Sequence, residues 1–245
     1  MQFPISNAWT DTTLKPMSDV QHLRLYYAPN TIAAAVAITL EEAGLNYETV
    51  HVDFAQGEQM KPGYGVINPT GRVPALETAL PDPDDAVDDE DEVLVDPDTI
   101  LTETGAILDY IADIAPHANL VPQNPVMAAR MRRVMYYLAS TMHVNHAHKA
   151  RGYRWAANPD SWEDMRIKVS ETMTASCAYV ESECIAGPFV LGQTYSLADP
   201  YLFVVTSWAA GDGVDMEQFP RINAFQSAMN TRASVWAARD KGIIS

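Results

Sequence analysis

The sequence predicts an α+β protein of two domains, a mixed domain of strands and helices followed by an all-helical domain. Within residues 22–115, short apolar alternations and helical apolar spacing follow one another in the order βαβ, helix, ββα. A Pro-rich linker at 116–124 comes next, and residues 125–245 have long helical periods with almost no strand signal. The length of 245 residues and the hydrophobic content of 47% allow two modest cores.

The mixed domain begins after an N-terminal extension at 1–21 that has no clear period. A strand at 22–27 precedes an Ala-rich helix at 32–43, and Gly44 marks the end of that helix. The elements that follow are a strand at 47–54, a short helix around 57–67, a strand at 73–78, a strand ending at Thr102, and a helix from Glu103 to about Ala115. Both EVLV at 92–95 and TILT at 99–102 are candidates for the strand before that last helix. A parallel βαβ half joined to an antiparallel ββα half is the thioredoxin-like arrangement.

The helical domain at 125–245 is predicted to contain helices at 125–152, 160–186, 197–210, 219–231 and 233–240. The string SLAD at 196–199 has the pattern of a capping box. Ser196 is expected to accept from the amide of the third helical residue, and Asp199 to reach back to the Ser196 amide. Cys177 and Cys184 fall on one predicted helix, too far apart for a disulfide, and we interpret them as small core residues.

Charge and hydropathy exclude several classes of partner. The formal net charge is −16, which argues against nucleic acid or an anionic membrane, since either requires clustered Lys and Arg. Residues 77–98 carry 11 of the 32 acidic residues, and we interpret about 79–98 as a solvated acidic insertion. No apolar run is long enough to span a membrane and no secretory signal is present, so we expect a cytoplasmic protein.

Two short strings predict a binding site. In NPTGRVPAL at 68–76, Pro74 belongs at a strand start, which leaves the backbone amide of Val73 free for a partner outside the chain. In LTETGAIL at 101–108, Glu103 and Thr104 fall on the first turn of a helix, where free N–H groups and the helix dipole favour an anionic group. Together the strings indicate a site for a small, charged, peptide-like molecule.

These strings, together with YSLADPYLF at 195–203, resemble the cytosolic glutathione transferases, and bacterial members most closely. The resemblance runs from about residue 22 to residue 243. It implies the thioredoxin-like and helical domains, glutathione as co-substrate without a metal, and a homodimer. It also implies that the cis-Pro loop of Val73 and Pro74 meets the cysteinyl part of glutathione, and that Glu103 and Thr104 hold the γ-glutamyl group. The residues placed near the glycyl carboxylate are Arg72 and, with surface charge as an equal alternative, Lys61.

The sequence departs from the family at the residue that activates the thiol. Related bacterial members have Cys where this chain has Ile32, and Ser where it has Ala33. The candidates to stabilise a glutathione thiolate are therefore Thr31, then Tyr26, then Asn30. Asn30 and Thr31 also suit a helix N-cap, and Tyr26 also suits a packed strand position, so both interpretations stay open.

The segment around 143–155 contributes further candidates. His143, His146 and His148 invite a metal interpretation, but they lack the spacing of a catalytic zinc motif, and we predict no metal site. By resemblance His143 reaches toward the glutathione site. The residues predicted to supply the hydrophobic substrate pocket are Tyr136, Tyr137, Met142 and Trp155.

The sequence therefore predicts a glutathione transferase that moves the glutathione thiol to a hydrophobic electrophile, with a hydroxyl stabilising the thiolate. Two alternatives stay open at this point. One is a non-catalytic protein of the same fold that binds glutathione or another ligand, since the Cys is absent and three Ala follow at 33–35. The other is a glutathione-dependent isomerase or reductase. The electrophile is not encoded in any recognisable spacing.

Overall fold

The structure is a computed structural model, and it describes residues 23–78 and 99–245. The predicted extension at 1–21, the predicted acidic insertion at about 79–98 and the candidate strand at 92–95 lie outside the described residues. In the part of the chain that is described, no helix is both long and apolar enough to cross a membrane.

The mixed domain is built on a four-stranded sheet. Its strands are β1 (Leu23–Tyr27), β2 (Tyr47–His51), β3 (Ala75–Glu77) and β4 (Ile100–Thr102), in the spatial order β2-β1-β3-β4. β1 pairs with β2 in parallel and with β3 antiparallel, and β3 pairs with β4 antiparallel. The predicted thioredoxin-like arrangement is confirmed, and the candidate TILT at 99–102 contains β4.

Three helices accompany this sheet, α1 (Ala33–Glu42), α2 (Pro62–Ile67) and α3 (Thr104–Ile114). Every residue of α1 from Ala33 to Leu40 is buried, because the helix lies between the sheet and the helical domain, where it packs against α3, α7 and α9. The small side chains of Ala33, Ala34 and Ala35 allow this close approach. Packing therefore accounts for the Ala run, which need not mark a lost active site.

The helical domain contains α4 (Pro125–Tyr137), α5 (His143–Arg151), α6 (Pro159–Tyr179), α7 (Ala198–Ser207), α8 (Pro220–Asn230) and α9 (Ala233–Asp240). A π-helical turn, Leu138–Met142, joins α4 to α5, so the single helix predicted at 125–152 is continuous but locally widened. Such turns occur frequently at functional sites, and this one immediately precedes His143. Cys177 and Cys184 are buried and unbridged, and burial raises the pKa of the Cys177 thiol to about 12, which confirms them as inert core residues.

The capping box before α7 is only partly as predicted. Asp199 reaches back to the Ser196 amide at 2.7 Å, as expected. The Ser196 hydroxyl, however, donates to Asp199 at 3.0 Å instead of accepting from an amide, because the buried carboxylate is the stronger acceptor. The other carboxylate oxygen accepts from the Val190 amide at 2.7 Å and so ties the preceding loop to the helix.

Arg232 ties α9 to the mixed domain. Its guanidinium makes a bidentate pair with Glu42 at the end of α1, at 2.5 and 2.6 Å, and lies 3.9 Å from the centroid of the Tyr195 ring. The Ser234 hydroxyl donates to the same carboxylate at 2.5 Å. This bidentate geometry fixes how the two domains face each other.

Candidate functional site

Three loops meet at one edge of the sheet. β1 ends at Tyr27, and the antiparallel register places the start of β3 and the end of β4 beside it, with Tyr26 opposite Ala75 and Ala75 opposite Thr102. The loop after β1, the Val73–Pro74 loop and the start of α3 therefore lie at the same edge. The topology brings together the two strings that the sequence singled out.

The loop before β3 is held in place by its own side chains. Asn68 is buried, and its amide nitrogen donates to the Arg72 carbonyl at 2.9 Å, while the Tyr64 hydroxyl donates to the same carbonyl at 2.7 Å. The Val73–Pro74 peptide bond is cis. Val73 makes no backbone hydrogen bond within the described residues, so its amide and carbonyl are available to a ligand.

The start of α3 has an unusual backbone. Glu103 immediately precedes the helix with a φ of 67°, a left-handed conformation that is uncommon for a residue other than Gly. Its carboxylate caps nothing, and no hydrogen bond or ion pair engages it in the described part of the chain. Such strain is often stored at ligand sites, where it presents a side chain and free helix amides to the ligand. Thr104 follows as the first helical residue and is buried.

The loop before α1 is fixed from the helical domain. Asn30 has a φ of 58°, and its side-chain oxygen accepts from the Ser245 amide at 3.0 Å and the Ser245 hydroxyl at 2.9 Å. The Trp208 indole donates to the Asn30 carbonyl at 3.2 Å. The Thr31 hydroxyl donates to the Ala28 carbonyl at 2.7 Å, while the Thr31 and Ile32 amides have no acceptor within the described residues. The helix therefore starts with free donors.

A cavity lies between this loop cluster and the helical domain. The mixed domain contributes Asn30, Thr31, Ile32, Phe54, Gln59, Gly71, Arg72 and Val73. The helical domain contributes Ala139, His143, Val144, His146, Ala147, Arg151, Tyr153, Arg154, Trp155 and Trp208. Among the atoms of the described residues, the buried side-chain oxygen of Gln59 has no donor, which a ligand N–H would supply.

The predicted site residues divide into two groups. The residues that line the cavity are Thr31, Asn30, Val73, Arg72, His143 and Trp155. Tyr26 does not line it, because its hydroxyl donates to the buried carboxylate of Glu77 at 3.1 Å. Glu103, Thr104 and Pro74 lie at the same sheet edge, whereas Lys61 is exposed at the turn before α2.

Three residues predicted for the hydrophobic pocket lie elsewhere. Tyr136 is 66% exposed on α4, Met142 is fully buried in the core, and Tyr137 packs against Tyr179 with ring centroids 4.4 Å apart. The prediction missed Arg151 and Arg154, which do line the cavity. Their spacing from His143, at steps that return to one helix face, is a signal that would have found them.

His143 is electrically neutral in this setting. Burial, and after it the nearby charges of His146, Arg151, Arg72 and Arg154, lower the pKa of His143 to about 3. His146 is held differently, by Asp212 at 2.7 Å from its Nδ1 and by Trp208 stacked at 4.3 Å. The described residues contain no group of three or more His, Cys, Asp or Glu side chains arranged to hold a metal ion.

The lowered pKa of His143 predicts a pH dependence of stability. Because the folded protein disfavours the imidazolium, the stabilising contribution is complete above pH 6.5 and is lost as the pH falls toward 3. At pH 5 the cost is about 2 kcal/mol. Urea unfolding at pH 7 and pH 5 should therefore show a stability loss about 2 kcal/mol larger in the native protein than in His143→Gln. An equal loss in both proteins would contradict the assignment.

The comparisons with known proteins agree with this geometry. The glutathione S-transferase N-terminal domain family matches residues 32–114. A glutathione transferase homologue from Sulfitobacter, solved with bound glutathione, is 55% identical with a TM-score of 0.81, over 91% of this chain and 99% of that one. The glutathione S-transferase GstA of Escherichia coli O157:H7 is 29% identical, over 87% of this chain and 95% of that relative. A maleylacetoacetate isomerase of Pseudomonas aeruginosa is 28% identical, over 82% of this chain and 87% of that enzyme.

The fold and site define a two-domain protein in which a thioredoxin-like sheet edge and a helical domain enclose a cavity for a small ligand. More particularly, the chain belongs to the glutathione transferase superfamily, as the family match and the 55% identity over nearly the whole length show.

Proposed function

We propose that the protein is a glutathione transferase that binds glutathione at the three-loop edge and transfers its thiol to an electrophile facing the helical domain. One observation carries the proposal: three loops at one sheet edge present unpaired groups, the amides of Thr31, Ile32 and Val73 and the carboxylate of Glu103. A tripeptide with an ammonium group, two carboxylates and peptide groups complements this set. The Sulfitobacter homologue with bound glutathione supports the same assignment.

In this proposal each part of glutathione has a partner. The Val73 backbone pairs with the cysteinyl unit, as one more strand pairs with a sheet edge. Glu103 receives the γ-glutamyl ammonium, while the free amides of α3 and the Thr104 hydroxyl receive its carboxylate. Arg72, and Lys61 at the turn before α2, face the glycyl carboxylate. Pro74 has no N–H to donate to the sheet, and the pairing of β3 begins after it, at Ala75.

The chemistry requires a stabilised thiolate. A free thiol titrates near 8.5, so little is ionised at neutral pH, and each unit of pKa depression requires about 1.4 kcal/mol. One hydrogen bond to a charged group supplies about 1.5–3 kcal/mol. Thr31 and the amides at the start of α1 face the cavity and can supply it. The thiol proton leaves to solvent, and the sulfur then forms a bond to the electrophilic carbon as the leaving group departs with its electron pair.

Tyr26 and Asn30 do not stabilise the glutathione thiolate in this proposal, because their side chains are engaged elsewhere. The Tyr26 hydroxyl is engaged by Glu77, and burial together with that carboxylate raises the pKa of the phenol. The Asn30 side-chain oxygen is engaged by Ser245. Both residues position the loop that carries Thr31.

Glutathione binding and transfer test the proposed function directly. We expect calorimetry to detect glutathione binding, and we expect the Glu103→Gln variant to raise the dissociation constant about tenfold, since an ammonium partner loses its counter-charge. Glu217→Gln, an exposed acid on another surface, is the matched control and should leave binding unchanged. If the native protein binds no glutathione, the proposed function is wrong.

The same experiments separate the alternatives. Binding without transfer to 1-chloro-2,4-dinitrobenzene or any other electrophile would indicate a non-catalytic binding protein. The similarity to a maleylacetoacetate isomerase keeps glutathione-dependent isomerisation as the second candidate, in which glutathione is regenerated unchanged. We also propose a cytoplasmic homodimer, and light scattering after size exclusion tests the assembly.

A further inference from the structure

The cavity has a concentrated positive charge in a strongly acidic protein. Three arginines, Arg72, Arg151 and Arg154, line it, and no Asp or Glu among the described residues does. The chain contains 32 acidic residues against 16 Lys and Arg. Arg24, Arg132 and Arg232 each meet a carboxylate within 3.1 Å, and Arg133, Arg221 and Arg239 donate to carbonyl or amide oxygens. The guanidinium groups of the three arginines at the cavity donate to no acceptor in the described part of the chain.

This grouping is unfavourable without a ligand. Arg151 and Arg154 are half-buried at the end of α5 and in the turn that follows it. Burial and the charges of Arg154 and Arg72 lower the pKa of Arg151, which reports like charges held close together. A cleft lined by charges of one sign raises the local concentration of the opposite ion, so these arginines favour an anion between them.

Glutathione does not use all of this charge. In the proposed binding mode, glutathione brings two negative groups to the cavity, the glycyl carboxylate and the thiolate sulfur. Its γ-glutamyl carboxylate lies instead at the start of α3. Arg72 adjoins Val73 and is therefore the arginine placed to meet the glycyl carboxylate. Arg151 and Arg154 belong to the helical domain and not to the three loops proposed to bind glutathione.

We propose that the electrophile is itself an anion, a planar carboxylate-bearing compound whose carboxylate binds Arg151 and Arg154. This inference rests on the proposed function and names the substrate class for the same site. Tyr153 and Trp155 adjoin these arginines, line the cavity and are 54% and 45% exposed, so their rings offer a stacking surface for a planar molecule. The predicted hydrophobic electrophile becomes an amphipathic one, with an apolar ring and a charged end.

A matched pair of substrates tests the charge alone. 4-Chloro-3,5-dinitrobenzoate and its methyl ester react with thiolate in the same way, the sulfur displacing chloride from the ring, but only the first carries a carboxylate. Because the two compounds differ in intrinsic reactivity, kcat/KM for each is divided by the rate constant of its uncatalysed reaction with glutathione. We expect the native protein to prefer the benzoate, although its net charge of −16 repels anions.

Arginine variants then assign the preference. The ratio of kcat/KM for the benzoate to kcat/KM for the ester, each divided by its uncatalysed rate, should fall about tenfold in Arg154→Gln and in Arg151→Gln. A tenfold change is the size expected for the loss of one charge-assisted hydrogen bond. The Michaelis constant for glutathione should stay within about twofold, because these arginines do not hold it in this proposal. Arg166→Gln, which removes an exposed guanidinium paired with Glu163 on α6, is the control and should leave the ratio unchanged.

Binding of the two product conjugates separates this inference from the proposed function. Calorimetry should show the carboxylate conjugate binding more tightly than the ester conjugate, and the difference should disappear in Arg154→Gln. Equal affinity for both conjugates, or an equal loss with both substrates accompanied by a raised Michaelis constant for glutathione, would overturn the inference and leave the proposed function standing. Failure of both conjugates to bind would overturn the proposed function and this inference with it.

Discussion

In the Thr31→Ala variant, kcat/KM for glutathione conjugation should fall about 10- to 100-fold. In the same variant, the pKa of the bound thiol should rise by about one to two pH units. The thiolate absorbance near 240 nm measures this pKa. These magnitudes correspond to the loss of one hydrogen bond to a charged group, about 1.5–3 kcal/mol. The affinity for glutathione at a pH below the thiol pKa should change little, because the thiol form gains little from the hydroxyl.

The geometry explains why Thr31 is the hydroxyl to change. It lines the cavity in the turn before α1, and its hydroxyl donates to the Ala28 carbonyl at 2.7 Å. Rotation of the hydroxyl toward a bound thiolate exchanges a neutral acceptor for a charged one, which is the stronger partner. The start of α1 adds its dipole and the free amides of Thr31 and Ile32.

Two control variants distinguish stabilisation of the thiolate by the Thr31 hydroxyl from stabilisation by the backbone amides before α1. Thr31→Ser keeps the hydroxyl and should retain most of the activity. Tyr26→Phe removes the other candidate hydroxyl and should leave the thiol pKa unchanged, because that phenol is bonded to Glu77 away from the cavity. If Thr31→Ala lowers the rate without moving the thiol pKa, the amides of α1 stabilise the thiolate and the hydroxyl has only a positioning role.

The position of the Val73–Pro74 loop and of Glu103 at one sheet edge was predictable because its signals are local. Pro74 at a strand start and Glu103 at a helix start each follow from their immediate neighbours in sequence. Chain order then placed both at one sheet edge, since strand pairing in this topology leaves few choices. The helical domain was predictable for the same reason, because long apolar periods determine helices. The left-handed backbone of Glu103 was not, since nothing in LTETGAIL demands it.

The other features of the site depend on tertiary contacts, which leave no periodic pattern in the sequence. Tyr26 was a candidate because of its place on β1, but cross-strand pairing puts Glu77 within reach of its hydroxyl. Met142 was expected in a pocket, but it lies in the π-helical turn before His143 and is fully buried in the core. Arg151 and Arg154 were not among the sequence candidates, because basic residues near a helix C-terminus already have an explanation in the helix dipole. Only the structure shows that they lack carboxylate partners within the described residues and face a cavity.

Replacement of Asp199 by alanine should lower the free energy of unfolding by about 3–5 kcal/mol at pH 7. The carboxylate is completely buried and accepts from the Ser196 amide, the Ser196 hydroxyl and the Val190 amide. Its removal leaves buried donors without acceptors, and each such group costs about 1–3 kcal/mol. Burial raises the pKa of Asp199 to about 6, so at pH 7 the carboxylate is ionised and all three bonds are charge-assisted.

The expected loss of stability in Asp199→Ala is large because the carboxylate is buried, not because it caps a helix. A second capping aspartate, which is exposed, separates the contribution of burial from that of capping. Asp215 also precedes a helical turn and accepts from the Glu217 amide at 3.2 Å, but it does so at the surface. Water replaces its bonds when it is removed, so Asp215→Ala should cost under about 1 kcal/mol. Urea unfolding followed by circular dichroism measures both variants under the same conditions. Equal losses would mean that the loop at Val190 does not depend on Asp199. A larger loss in Asp199→Ala, with the amides of the α7 region exchanging fastest, would show that this carboxylate holds the start of the buried helix against which α1 packs.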